Sequence, residues 1–166
     1  MGVAADIRRS LTGGPRPVVR EHLARGESEA HALALLMLGC GLVFVGQWPR
    51  LMRVAQEEGD DFARLVAYAM LGWMMIWPLV LYGLAALTHG VSRLLGGRGT
   101  PFGARLALFW SWLAAAPLGM LTGLLAGLSG SAALANLCGA LWIAVFAAFW
   151  WSSQREAARG PRAHGV

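Results

Sequence analysis

The sequence predicts an all-α integral membrane protein: a bundle of four transmembrane helices with a short N-terminal amphipathic helix at the membrane interface. Hydrophobic residues make up 57% of the 166 residues and charged residues only 14%, whereas roughly a quarter of an ordinary soluble domain is charged. Four apolar runs reach the roughly 20 residues that a helix needs to cross the hydrocarbon core. Because none of these runs contains Asp, Glu, Lys or Arg, lipid is the expected solvent for most of the chain.

The four runs belong to one predicted membrane domain, which covers residues 15–154. The flanking segments, residues 1–14 and 155–166, are polar or small in composition and are expected to be disordered tails. The predicted spans are residues 30–48, 65–87, 106–128 and 132–151.

Local signals support these helices. Ser28 precedes the first span, and Asp60 and Asp61 precede the second, where their side chains can cap the free backbone N–H groups of a helix. Pro78 and Pro117 fall inside the second and third spans, and because proline lacks an N–H group, each is predicted to kink its helix.

The arginine distribution predicts the orientation in the membrane. All fourteen basic residues are Arg, a bias that, with many Ala, Gly and Pro residues, is typical of a GC-rich bacterial genome. Eleven of them lie in the segments that share a side with the two termini, and three lie in the loop between the first two spans. The positive-inside rule therefore predicts a bacterial inner-membrane protein with both termini in the cytoplasm. Since the Arg residues form no single stripe, nucleic acid is not an expected partner.

The segment ahead of the first span, residues 17–26, is predicted to be the interfacial helix. Val19 and Leu23 share one helical face, and Arg residues flank them. Such a pattern favours a helix lying on the inner leaflet, with a frayed polar leader as the alternative.

Small residues recur at every fourth position in the third and fourth spans. Lipid gives helices no hydrophobic reason to associate, so close approach between small residues contributes much of the packing. The connection between these spans is short, which makes the two helices antiparallel neighbours, and we interpret the two ridges as facing each other. The alternatives are chance in a chain rich in Ala and Gly, or a ridge that faces a second copy. The helix-packing residues are Ala115, Gly119, Gly123 and Gly127 in the third span and Ala132, Asn136, Ala140, Ala144 and Ala148 in the fourth.

Polar residues offer one candidate site. Tyr82 and His89 are seven residues apart and share a helical face, and His31 lies near the same end of the first span. These three residues are a candidate polar pocket near the cytoplasmic surface, with interfacial anchors as the alternative. No residues occur at catalytic or metal-binding spacing, so no catalytic residue, metal or cofactor is expected.

A glycine-rich segment carries a resemblance to a known family. The sequence RLLGGRGTPFGARL at residues 93–106, followed by Pro117 in the next span, resembles the bacterial branch of the Yip (Ypt/Rab-interacting protein) family. VGQWPR at residues 45–50 and Trp77-Pro78 are similar to short bacterial members as well. The resemblance covers roughly residues 16–151 and implies a multispanning membrane protein without catalytic residues. Members usually have five spans, whereas four are predicted here; a fifth span would place the C-terminus outside the cytoplasm.

The resemblance implies only part of the family's biology. Eukaryotic relatives associate with Rab-type GTPases of the early secretory pathway, which bacteria lack, so Rab binding is not implied. We expect a non-enzymatic inner-membrane protein that associates with membrane lipids and with another membrane protein or itself. The alternative is a small permease or lipid-handling protein working as an oligomer. Proton- and ion-coupled transporters usually place an ionisable group inside the membrane, and only histidines near span ends could serve here.

Overall fold

The structure is a computed structural model that describes residues 3–24, 26, 28–97, 99–128 and 131–158, excluding the side chain of Ala132. Within these residues the regular elements are all helical. They are α1 (Val3–Gly13), α2 (Arg16–Ala24), α3 (Glu29–Gly46), α4 (Trp48–Glu58), α5 (Phe62–Leu71), a π-helical segment (Gly72–Ile76), α6 (Trp77–Leu94), α7 (Pro101–Leu128) and α8 (Ala132–Ala157).

Four helical rods in the described part of the chain are long and apolar enough to cross a membrane. Three of them are α3, α7 and α8, and the fourth is the continuous rod of α5, the π-helical segment and α6. The predicted all-α class and the four span-length helices are therefore confirmed. The rods extend beyond the predicted spans, because α6 continues to Leu94 and α8 to Ala157.

The predicted capping residues lie at the helix starts. Ser28 Oγ accepts a hydrogen bond from the backbone N–H of His31 at 3.3 Å, and Asp61 Oδ1 accepts one from Ala63 at 3.0 Å. Each bond satisfies a backbone donor that has no partner inside the helix. Asp60 pairs with Arg64 one turn further along α5.

The second rod widens just before Pro78. The backbone N–H of Trp77 donates to the carbonyl of Gly72, five residues back, which is the π-helical pattern. Pro78 closely follows this π-helical segment. Because proline has no backbone N–H group, it cannot continue the regular pattern of helical hydrogen bonds at this point. In the third rod the helix continues on both sides of Pro117.

Helix α7 is the central element. It packs against α8, α3, α4 and α6, and against α1 and α2 at its N-terminal end. That end, which we call the terminal end, gathers α1, α2, the first turn of α3 and the last turns of α8. There Gln154 Nε2 of α8 donates to the carbonyl of Ala104 at 3.0 Å, and Gly99 abuts the backbone of Ala157.

The N-terminal segment differs from the prediction. Residues 3–13, expected to be disordered, form α1 because Asp6 and Ser10 are buried against the bundle and Val3 and Ile7 pack on its core. Tertiary contacts thus order a segment whose composition is polar. Residues 159–166 of the predicted C-terminal tail lie outside the described part of the chain.

Helix α2 forms as predicted, but its apolar face meets protein. Val18 and Val19 are almost fully buried in the core that α7 contributes to. The expectation that this face lies on the inner leaflet is therefore wrong, because the terminal end of the bundle covers it.

The connection between the first two rods is also more ordered than expected. Most of it is α4, which packs along the far end of α7 and ends at Gly59, whose φ of 69° is accessible to glycine at little cost. Four acidic residues occupy the end of this helix and the turn after it, namely Glu57, Glu58, Asp60 and Asp61. Arg53 pairs with Glu57.

Candidate functional site

The interface between α3 and α7 depends on glycine. A Cβ atom on Gly46 would come within 2.5 Å of Met120 Cα, and one on Gly39 would come within 2.7 Å of Trp112 Cδ1. Gly123 abuts the carbonyl of Gly46, and Gly127 abuts Pro49 at the start of α4. The predicted small-residue ridge of the third span therefore lies in a close helix contact, but its partners for Gly123 and Gly127 are the first rod and α4.

The ridge of the fourth span has a different position. Asn136, Ala140, Ala144 and Ala148 are exposed on the outer face of α8, and the side chain of Ala132 lies outside the description. The interpretation that the two ridges face each other is therefore wrong. Helix α8 packs against α7 at Gly119, where the ring of Trp142 lies directly over the glycine. A Cβ atom added to Gly119 would lie 2.6 Å from Trp142 Cε2.

Large aromatic rings explain why α8 turns its small residues outward. A cluster centred on Trp112 of α7 joins the second rod to α8, and rings at these separations attract one another beyond simple burial. A glycine on α7 leaves room for an indole on α8, so the aromatic rings of Trp142 and Phe146 on α8 point inward. The centroid distances from Trp112 are 5.7 Å to Trp77, 6.3 Å to Trp73, 5.3 Å to Trp142 and 5.4 Å to Phe146.

Polar contacts concentrate at the terminal end. Trp110 Nε1 donates to Ser10 Oγ at 3.1 Å in a fully buried contact between α7 and α1. His22 of α2 lies with its ring 4.9 Å from that of Trp110, and its Nδ1 is 3.2 Å from Nε2 of His31 on α3. Ser111 and Ser153 share a hydrogen bond of 3.1 Å between α7 and α8.

Ion pairs surround this region. Arg9 of α1 contacts Glu21 of α2 at 2.8 Å and Asp6 at 3.4 Å, and the hydrogen bond and charge of Glu21 raise the pKa of Arg9 above its ordinary value. Arg105 at the start of α7 pairs with Glu29 in the first turn of α3. These contacts connect α1 to α2 and α3 to α7.

The predicted polar pocket is not assembled by the described contacts. His31 contacts His22, the ring of Tyr82 packs edge-on against Phe109 at 4.8 Å, and His89 is half-buried on α6. The residues that do meet, His22 and His31, belong to different helices that are close in sequence.

Sequence reasoning missed several of the residues that matter. His22 follows Val18 and Val19 by three to four residues, so its position on the buried face of α2 was visible in the helical spacing. Gly39 and Gly46 are seven residues apart on one face of the first span, which is a recognisable packing signal. By contrast, the contact of Ser10 with Trp110 joins residues 100 positions apart and leaves no local pattern.

Metal binding finds little support in the described geometry. Among residues 3–158 apart from the undescribed positions, no three His, Cys, Asp or Glu side chains lie close enough together to hold a metal ion. Cys40 and Cys138 are free thiols on different rods.

In the described part of the chain these features define a class: an all-helical protein with four rods of membrane-spanning length, packed around α7, with a polar contact region at one end. Comparison with known proteins adds no narrower identity, because no family model, no curated protein and no solved structure matches the chain.

Proposed function

We propose that this chain is a non-enzymatic, multi-pass protein of the bacterial inner membrane that works by associating with a helix of another membrane protein or of a second copy. The four span-length helices support membrane insertion. The excess of Arg in the segments at the terminal end supports cytoplasmic termini.

The uncovered face of α8 is the observation that carries this proposal. Only 6% of the apolar stretch of α8 is buried, against 61% for α7. The exposed face holds Ala140, Ala144 and Ala148 in a row, with Asn136 one turn before them. In lipid, small residues let a second helix approach closely and an amide side chain can hydrogen-bond across the contact, so this face suits a partner helix.

The alternative function, a small permease or lipid-handling protein, has less support. It drew on His31, Tyr82 and His89 as one polar site, but His31 contacts His22 and the ring of Tyr82 packs against Phe109. The prolines remain, but proline in a membrane helix is common without transport.

The relation to the bacterial branch of the Yip family remains a proposal that rests on sequence motifs. In its glycine-rich segment, Gly96 adopts a φ of 82° and Gly97 donates to the carbonyl of Ser92 at 2.8 Å, which ends α6. This local chemistry accounts for two of the glycines without any ligand.

Site-specific photo-crosslinking in native membranes tests the association. Ile143 is 63% exposed beside the ridge and is replaced by p-benzoylphenylalanine, which exchanges one large side chain for another. The control is the same replacement at Met75 of the second rod, which is 67% exposed and has the large exposed residues Leu71 and Leu79 one turn to either side.

We expect a discrete crosslinked band from position 143, its loss when Ala144→Leu is added, and no discrete band from position 75. Mass spectrometry then separates a second copy from another protein. Equal, diffuse lipid adducts at both positions would contradict the association.

A further inference from the structure

The α1–α2 pair separates its charged residues by position. Residues three or four positions apart share a face of a helix, and each of the two helices has one exposed face. The charged residues on these exposed faces are all arginines. The exposed residues are Ala4, Arg8, Leu11 and Thr12 on α1, and Arg16, Pro17, Arg20 and Ala24 on α2.

The carboxylates of the pair lie away from these faces. Asp6 is 2% exposed and Glu21 is half-buried, and both bind Arg9, which joins α1 to α2. Among the described residues, the three exposed arginines form no ion pair. The side chains of residues 1–28 comprise five Arg and three acidic residues, so this segment has an excess of positive charge wherever residues 25 and 27 lie. We call Arg8, Arg16 and Arg20 the basic surface.

The α1–α2 pair lies at the level of the membrane surface in the proposed orientation. Ser10 of α1 accepts a hydrogen bond from Trp110, which is four residues past the predicted start of the third span at residue 106. Four helical residues rise about 6 Å, and the headgroup region adds about 5–8 Å to each side of the hydrocarbon core. Helix α2 also ends at Ala24, shortly before α3 begins at Glu29. Lipid headgroups are therefore within reach of the basic surface.

A cavity of about 250 Å³ between α1 and α2 is less suited to an anion. Its lining residues are Arg9, Thr12, Gly13, Gly14, Pro17 and Val18. Arg9 already binds two carboxylates, and the hydroxyl of Thr12 donates to the carbonyl of Arg8 at 3.0 Å. The exposed arginines are thus better placed than the cavity to bind negative charge.

We propose that the basic surface binds the headgroups of anionic phospholipids in the inner leaflet. A guanidinium group presents a fork of N–H donors that matches the oxygens of a phosphate. A basic side chain near an anionic membrane surface strengthens binding about fivefold. The apolar face of α2 packs on the bundle, and its opposite, arginine-bearing face contacts the headgroups. This proposal rests on membrane insertion with cytoplasmic termini, but it does not depend on the association through α8.

Photo-crosslinking to lipid tests the proposal in the full-length protein. The protein is reconstituted in nanodiscs that contain equal parts of phosphatidylglycerol and phosphatidylcholine with identical acyl chains. p-Benzoylphenylalanine replaces Leu11, which is 48% exposed beside Arg8, or Met75 in the second rod, which is 67% exposed and serves as the reference. Mass spectrometry of the intact protein distinguishes the adducts of the two lipids.

We expect the ratio of phosphatidylglycerol to phosphatidylcholine adducts to be at least about fivefold higher at position 11 than at position 75. Because salt screens exposed charges, a high salt concentration should lower this enrichment.

Two double variants identify the groups responsible. Arg16→Gln with Arg20→Gln removes two charges from the basic surface and should lower the ratio at position 11 about fivefold or more. Arg50→Gln with Arg93→Gln is the matched control, since it removes two exposed arginines of α4 and α6 and should leave the ratio unchanged. If the first variant does not fold, Arg8→Gln on α1 should lower the ratio in the same direction.

Two outcomes would overturn the proposal. One is an equal lipid ratio at positions 11 and 75, and the other is an unchanged ratio at position 11 in both Arg16→Gln with Arg20→Gln and Arg8→Gln. Lipid adducts at position 75 report membrane insertion by themselves. Their absence would contradict insertion and with it the proposed function as well.

Discussion

Helices α7 and α8 resemble each other in sequence and differ in position. Both are long and apolar, and both carry small residues at every fourth position. Yet 61% of the apolar stretch of α7 is buried and 6% of that of α8. On α7 the small residues pack against neighbouring helices and a tryptophan ring, whereas on α8 they are exposed on the outer face. Periodicity therefore shows which residues share a face, but the size of the opposing side chain decides which face turns inward.

The largest expected effect is at the centre of α7. Trp112→Ala removes the ring that contacts four other aromatic rings and leaves a void, and it should lower the free energy of unfolding by about 3–5 kcal/mol. Trp151→Ala on the exposed face of α8 is the control, since that side chain is 63% exposed. Equal losses from the two variants, measured by equilibrium unfolding in detergent, would break the distinction between α7 and α8.

A second test enlarges the glycines of α7. Gly123→Leu forces a side chain against the backbone of Gly46, and such overpacking should cost about 3 kcal/mol or more. It should lower thermal stability in detergent far more than Leu124→Ala, at the half-buried neighbouring position.

Gly41→Leu on α3 is a matched control, because a Cβ atom there would meet no neighbouring atom within 4 Å. Equal decreases in melting temperature for Gly41→Leu and Gly123→Leu would contradict the close contact between α3 and α7 at Gly123.

A smaller effect is expected where α7 meets α1. Ser10→Ala leaves the buried indole N–H of Trp110 without its acceptor, which should cost about 1–3 kcal/mol. Hydrogen exchange should accelerate in α1 and leave the far end of α7 unchanged. Thr12→Ala on the exposed face of α1 should have no comparable effect, and matching exchange rates in the two variants would count against the docking of α1.

The smallest effect on folding is expected at the outer face of α8. Ala144→Leu adds bulk where the chain itself places nothing, so the unfolding free energy of the isolated monomer should change by less than about 0.5 kcal/mol. A large loss of monomer stability would show that the ridge packs within the chain after all.

The outline of the fold was predictable, because apolar length and capping residues are local properties. Ser28 and Asp61 cap the helices that the sequence indicated, and four span-length helices were expected from composition. Packing partners were not predictable in the same way. Gly119 packs against the ring of Trp142, and Gly123 packs against the backbone of Gly46. Nothing in the residue spacing along α7 distinguishes these two positions.

The polar contact region shows the same limit. His22 could have been placed on the buried face of α2 from its spacing with Val18, but its partner His31 was assigned to a different cluster. Buried contacts such as that of Ser10 with Trp110 depend on tertiary structure, which orders a segment that its composition alone predicts to be disordered.

The most direct test of the central claim, that the outer face of α8 binds a partner helix, is the mass of the particle isolated from native membranes. Wild-type protein and Ala144→Leu are extracted in polymer-bounded native nanodiscs and analysed by sizing and mass spectrometry. The account predicts a stoichiometric second copy or partner with the wild type and a lone chain with Ala144→Leu. Reproducible isolation of the wild type as a lone monomer would contradict it.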